Sequence, residues 1–85
     1  MRPRVPMDFD QALARLFGER GLSIVSTKLE AKNSIGIVFG HRSRPREYWS
    51  LNASYRGQQH STEEHLDALY DAVKKELRRW MKGKS

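Results

Sequence analysis

The sequence predicts an α+β fold: a single two-layer domain in the order α-β-β-β-α, with an antiparallel three-stranded sheet carrying both helices on one face. Three observations carry this expectation. Apolar residues recur at helical spacing near both ends of the chain. Between them lie three short segments that are rich in β-branched residues or alternate apolar with polar. The links between those segments are too short for crossovers, so neighbouring strands run antiparallel. Each element then has one apolar face, and two helices on one side of the sheet bury them all.

Residues 1–7 read as a flexible basic arm, because Met-Arg-Pro-Arg-Val-Pro holds two prolines and no periodicity. The domain is expected over 8–82, with 83–85 as a frayed tail. The first helix begins at Asp8, which with Gln11 has the form of a capping box. Phe9, Leu13, Leu16 and Phe17 share one face, and Gly21 suits the C-terminal cap. Leu22 to Leu29 is the first strand. Its alternation is imperfect, since Leu22 and Ile24 take one side while Val25, Thr27 and Leu29 take the other. A bulge, or a strand covered on both faces, accounts for that. Lys32-Asn33-Ser34 marks a turn, Asn being tolerant of the left-handed conformation.

Ile35 to Gly40 is the second strand, with Ile35, Ile37 and Phe39 on one side and Gly36, Val38 and Gly40 on the other. The glycines leave that second side flat. Tyr48 to Tyr55 is the third strand, whose Trp49, Leu51, Ala53 and Tyr55 oppose Tyr48, Ser50, Asn52 and Ser54. In the second helix Ser61 and Glu64 form a capping box. Leu66, Leu69, Tyr70, Val73, Leu77 and Trp80 follow at spacings of three and four.

The chain is 85 residues long, enough for one domain that buries roughly 60% of its unfolded surface. Cysteine is absent, which removes disulfides, thiolate catalysis and cysteine-type zinc sites. No apolar run approaches the roughly 20 residues that span a bilayer. The basic start is not followed by the apolar stretch of a secretory signal, so no membrane partner and a cytoplasmic location are expected.

Sixteen Lys and Arg stand against ten Asp and Glu, a formal net charge of +6. Such a surplus favours an anionic partner. Its densest point is His41-Arg42-Ser43-Arg44-Pro45-Arg46, between the second and third strands. Arginine offers forked contacts to phosphate or carboxylate, and loops are where scaffolds present binding residues. Arg42, Arg44 and Arg46 alternate and so are expected on one side of a hairpin, flanked by His41 and Arg56. Glu30 and Glu47 offset part of the charge, and a solvated hairpin tip is the bland alternative.

The second helix also ends in a basic cluster, Lys74, Lys75, Arg78, Arg79 and Lys82, but begins with Glu63, Glu64, Asp67 and Asp71. Acid first and base last is the order the helix dipole favours, and Asp71 precedes Lys75 by one turn. Most of that cluster is therefore assigned to helix stability, with Arg78 and Arg79 as candidate extensions of a basic surface. The polar sheet face, with Tyr48 and Asn52, is a candidate contact surface for a base, a groove or a protein.

His41, His60 and His65 have no carboxylates at ligand spacing, so no metal site is expected. There is no Gly-rich phosphate loop before a helix and no nucleophile motif, so neither enzyme activity nor a cofactor is expected. The reading that follows is a non-enzymatic nucleic-acid-binding domain, for DNA or RNA. Its site residues are Arg42, Arg44, Arg46, Arg56, Tyr48, Asn52, Arg78 and Arg79. The alternative is a small inhibitor or adaptor of phage or mobile-element type whose basic loop and open sheet face meet an acidic protein surface. Homodimerisation through the sheet edge or the Trp80 end of the second helix is compatible with either.

The order α-β-β-β-α across Asp8 to Met81 resembles the double-stranded RNA-binding domain in architecture and length. That family binds RNA with a lysine-rich start to its second helix. The matching stretch, Ser61-Thr-Glu-Glu-His-Leu-Asp67, is acidic. The resemblance therefore implies the fold and transfers no RNA-binding residue. Ile35 to Trp80 is also similar to the three-strand-plus-helix arm domains of phage integrases, which lay a sheet in the major groove, an analogy of architecture.

Overall fold

Helix α1 (Met7–Gly18) leads into strands β1 (Leu22–Ala31), β2 (Ser34–His41) and β3 (Arg44–Ser54), and helix α2 (Thr62–Lys84) closes the chain. This computed structural model describes residues 7–59 and 61–84. The basic-arm residues 1–6, including Arg2 and Arg4, lie outside it, as do His60 and Ser85. The three strands form one antiparallel sheet in the order β1-β2-β3, as expected.

One core lies between the sheet and the helices. Leu13, Leu16 and Phe17 from α1 and Leu69, Val73 and Leu77 from α2 are buried against Ile35, Ile37 and Phe39 of β2. Ring stacking concentrates at one end of it. Phe39 meets Phe17 and Trp80 edge to face at centroid distances of 5.1 and 5.0 Å, and Trp49 lies 5.3 Å from Trp80. Such pairs add about 0.5–1.5 kcal/mol each beyond area burial.

The imperfect alternation of β1 resolves as a bulge. Ile24 pairs with Phe39 and Ser26 with Val38, leaving Val25 without a partner. The extra residue restores phase, so Leu22, Ile24, Thr27 and Leu29 all fall on the core side while Val25 is 56% exposed.

Several ends differ from the sequence reading. Asp8 sits inside the first turn of α1 rather than at its cap, because the helix already includes Met7. With Asp10 it places negative charge where the helix N-terminus favours it. Asn33 does not adopt the left-handed conformation: among the described residues positive φ occurs only at Gly21 and Gly57. Its side-chain amide instead donates to the Tyr55 carbonyl at 2.6 Å, and the Tyr55 N–H donates to the Asn33 carbonyl at 3.2 Å. These bonds tie the β1–β2 turn to the end of β3. Helix α2 runs through Gly83 to Lys84, where a frayed tail was expected. Its start does carry the cap, with the Glu64 N–H donating to Ser61 Oγ at 3.2 Å.

Gly21 turns the chain from α1 into β1 at a φ of 75°. A methyl group there would lie 3.7 Å from His41 Nε2, an ordinary contact, so only the backbone opposes a side chain. Gly21→Ala is expected to cost about 1–2 kcal/mol, the left-handed penalty, in urea unfolding with an unchanged m-value.

Candidate functional site

Three strands between two helices is an odd number, so both helices run the same way. Arg20 and Leu22, just past α1, share a cleft with Trp80 and Met81 near the end of α2. Asp8 and Phe9, at the start of α1, share a groove with Glu63, Leu66 and Asp67 at the start of α2. Both helix C-termini therefore flank the β2–β3 hairpin. Their carbonyl ends are partly negative, which draws cations to that end.

The hairpin is tighter and more irregular than a six-residue loop. Only Arg42 and Ser43 form the turn, and β3 begins at Arg44, four residues before the expected start. His41 pairs with Arg44 while Gly40 pairs with Tyr48, so Pro45, Arg46 and Glu47 bulge from the edge strand. Pro45 has no N–H to give a ladder, which suits it to such a place. On the turn, His41 Nδ1 accepts from the Ser43 N–H at 3.1 Å and lies 2.7 Å from Ser43 Oγ.

The arginines share this end but not one surrounding. Arg42 leans on α1, where a methyl group at Gly18 would lie 3.7 Å from its Nη2. Arg44 reaches Glu47 at 3.4 Å and lines the cleft. Arg46 is exposed on the bulge and has no ion-pair partner among the described residues. Arg20, overlooked in the sequence, donates to the Leu16 carbonyl at 2.8 Å and lines the same cleft. A guanidinium carries five N–H donors, so this bond leaves others for a ligand.

From α2, Arg78, Arg79 and Lys82 arrive at the same end. Arg79 pairs with Glu76 at 3.3 Å, while Arg78 is exposed with no ion-pair partner among the described residues. The Asp71–Lys75 pair expected one turn apart does not close to salt-bridge distance. With Glu19, Glu47 and Glu76 as offsets, this end is a cationic pole. The opposite pole holds Asp8, Asp10, Glu63, Glu64 and Asp67 with Lys32 and Arg56 among them. Partial desolvation raises the pKa of the Asp10 carboxyl from its ordinary value.

Arg56 is thus separated from the hairpin it was expected to flank. It follows β3, whose 11 residues begin at the hairpin, and lies beside Asp71 and Lys75. Asn52 is separated too. Gly36 lies between Glu30 and Asn52, and any β-carbon there would overlap the Glu30 carboxylate. Turned with its nitrogen toward Glu30, the Asn52 amide donates to the carboxylate at 2.7 Å. A negative charge therefore occupies this part of the open sheet face, against any phosphate laid across it. Tyr48 does stay near the hairpin, 62% exposed, with its ring against Gly40.

The cleft at the cationic pole has a volume of ≈ 290 Å³. Its polar rim is Arg20, His41, Ser43 and Arg44, and its apolar wall includes Trp49 and Trp80. Both tryptophans lie on the apolar faces read from the sequence, and each packs against the core while only half-buried. A larger cleft of ≈ 630 Å³ at the other end is lined by Asn33, Gln58, Gln59 and the hydrogen-bonded pair Tyr55 and His65. It gathers mostly neutral amides and hydroxyls, with Lys32 as its one Lys or Arg. Among the described residues no group of three or more His, Asp or Glu is placed to hold a metal. Nor is any described helix long and apolar enough to cross a membrane. The chain gives no match to family models, to curated proteins or to solved structures.

Proposed function

We propose that the chain is a non-enzymatic domain that binds the phosphate backbone of a nucleic acid at its cationic pole. The observation that carries this reading is convergence. The β2–β3 hairpin, the end of α1 and the end of α2 bring Arg20, Arg42, Arg44, Arg46, Arg78 and Arg79 to one end of the molecule. Like charges held this close repel until an anion joins them, and arginine is the side chain whose fork matches phosphate. The helix ends account for part of that gathering, through Arg20 and Arg42. They do not account for Arg46 and Arg78, which meet neither an acid nor a helix carbonyl among the described residues.

Fluorescence anisotropy of labelled DNA and RNA oligomers at low salt tests the reading. Binding is expected, and the triple replacement of Arg42, Arg44 and Arg46 by Ala should weaken it and lower the salt slope by about three phosphates. Arg56→Ala, at the far pole, should leave affinity unchanged. Absence of binding to every oligomer at low salt overturns the reading. So does a protein partner retained from lysate after nuclease treatment and lost in the triple variant, which would assign the pole to an acidic protein surface.

A further inference from the structure

The geometry points to a single-stranded ligand, with one unpaired nucleobase seated in the Trp49–Trp80 cleft while Arg20 and Arg44 hold the adjoining phosphates. This rests on the polyanion reading above and narrows it. Phosphate recognition alone asks for donors, and the bulged hairpin supplies them. It does not ask for an indole wall beside them. A cleft with aromatic side chains in its wall and guanidinium groups at its rim matches a nucleotide in both its parts, the flat base and the charged backbone.

Size and shape agree. At ≈ 290 Å³ the cleft sits at the small end of ligand sites, suited to one base rather than to a helix or a loop of another protein. A duplex keeps its bases paired and stacked, so it cannot place one in a concave end without first extruding it, which costs a few kcal/mol. A single strand offers its bases without that cost.

The wall is also preorganised. Trp80 is braced by Phe39 at 5.0 Å, with an interplanar angle of 83°, and by Trp49 at 5.3 Å and 60°. Phe39 is fully buried, so the support behind the indoles is part of the core and does not have to order when a base arrives. His41, on the rim, is oriented by its Nδ1 contacts to Ser43, which leaves its Nε2 edge as the face not engaged by the turn.

The chain has two tryptophans, and both line this cleft, so intrinsic fluorescence reports on it alone. The full chain is titrated with ten-residue oligothymidylate, with ten-residue oligouridylate, with a ten-base-pair duplex and with inorganic phosphate, all at one low salt concentration. Both single strands should quench tryptophan emission and bind at least tenfold tighter than the duplex. Phosphate alone should leave the emission unchanged. Trp49→Leu should weaken single-strand binding about tenfold while Trp49→Phe, which keeps a stacking ring, stays near wild type. Unchanged emission with equal affinity for duplex and single strand overturns the cleft and leaves the phosphate reading standing. A duplex that quenches as fully as the single strands overturns it also. Failure of every oligomer to bind removes both.

Discussion

Phe39→Ala is expected to remove about 3–5 kcal/mol of stability, the usual loss for truncating a buried aromatic ring. The residue is wholly inaccessible and touches rings from three other elements: Phe17 of α1, Trp49 of β3 and Trp80 of α2. A domain of 85 residues has about 4–13 kcal/mol in total. The substitution therefore takes a large share of the whole, and at the lower end of that range it abolishes the cooperative transition. Urea unfolding followed by tryptophan emission measures it directly. A loss below about 1 kcal/mol would mean that the rings are not the keystone of the packing. The functional consequence is separable from the energetic one, because Phe39 also braces the indoles of the cleft. Under conditions where the variant stays folded, single-strand affinity should still fall while the duplex is unaffected.

The second large effect is that of salt. A ligand held by phosphate contacts releases condensed cations when it binds, so affinity falls as a power of salt concentration. If about five phosphates of a single strand are neutralised, the slope of log affinity on log salt is about −3.5, and raising salt from about 50 to 200 mM weakens binding roughly a hundredfold. Anisotropy titrations at four or five salt concentrations give the slope. The same series on the triple arginine variant should give a slope near −1.4, matching about two remaining contacts. A slope near zero in the parent chain would assign the affinity to contacts other than phosphate and end the backbone reading.

Element type and order were legible because apolar spacing in this chain is regular: Leu66 to Trp80 admits only a helix, and Trp49 to Tyr55 only a strand. The Val25 bulge was visible as a phase error in β1. The ends were less legible, since they depend on partners far away in sequence. Asn33 lacks the left-handed turn because Tyr55, 22 residues on, captures its amide. The candidate site was legible at Arg42, Arg44 and Arg46, where charge is dense in a short span. Arg56 and Asn52 were misplaced because nearness in sequence to a hairpin says nothing about which end of a long strand a residue occupies. Arg20 carries no local signal at all. It becomes part of the site only through the pairing of Leu22 with His41, which lays the start of β1 beside the hairpin. The basic residues of α2 raise the subtlest point. Within the helix the dipole draws Lys82, in the last turn, while Lys74, Lys75, Arg78 and Arg79 lie further back. Yet the same order of charge, repeated in α1 and aligned by three strands, adds up across the molecule to a polarity that no element has reason to produce alone.

That alignment has a consequence for how partners meet. The molecule is 40 Å long, and α2, with 23 residues, spans most of that length. Among the described residues charge of opposite sign lies at the two ends, and the field of a polyanion would exert a torque on it. For the polyanion proposed above, collisions would be turned before touching, arginine end foremost, and approaches from the acidic end disfavoured. At physiological salt the field reaches only about 8 Å, far less than the rod's length. The turning is therefore confined to the last step of approach, where rotation of so small a body is fast. Encounter becomes a matter of orientation settled at close range.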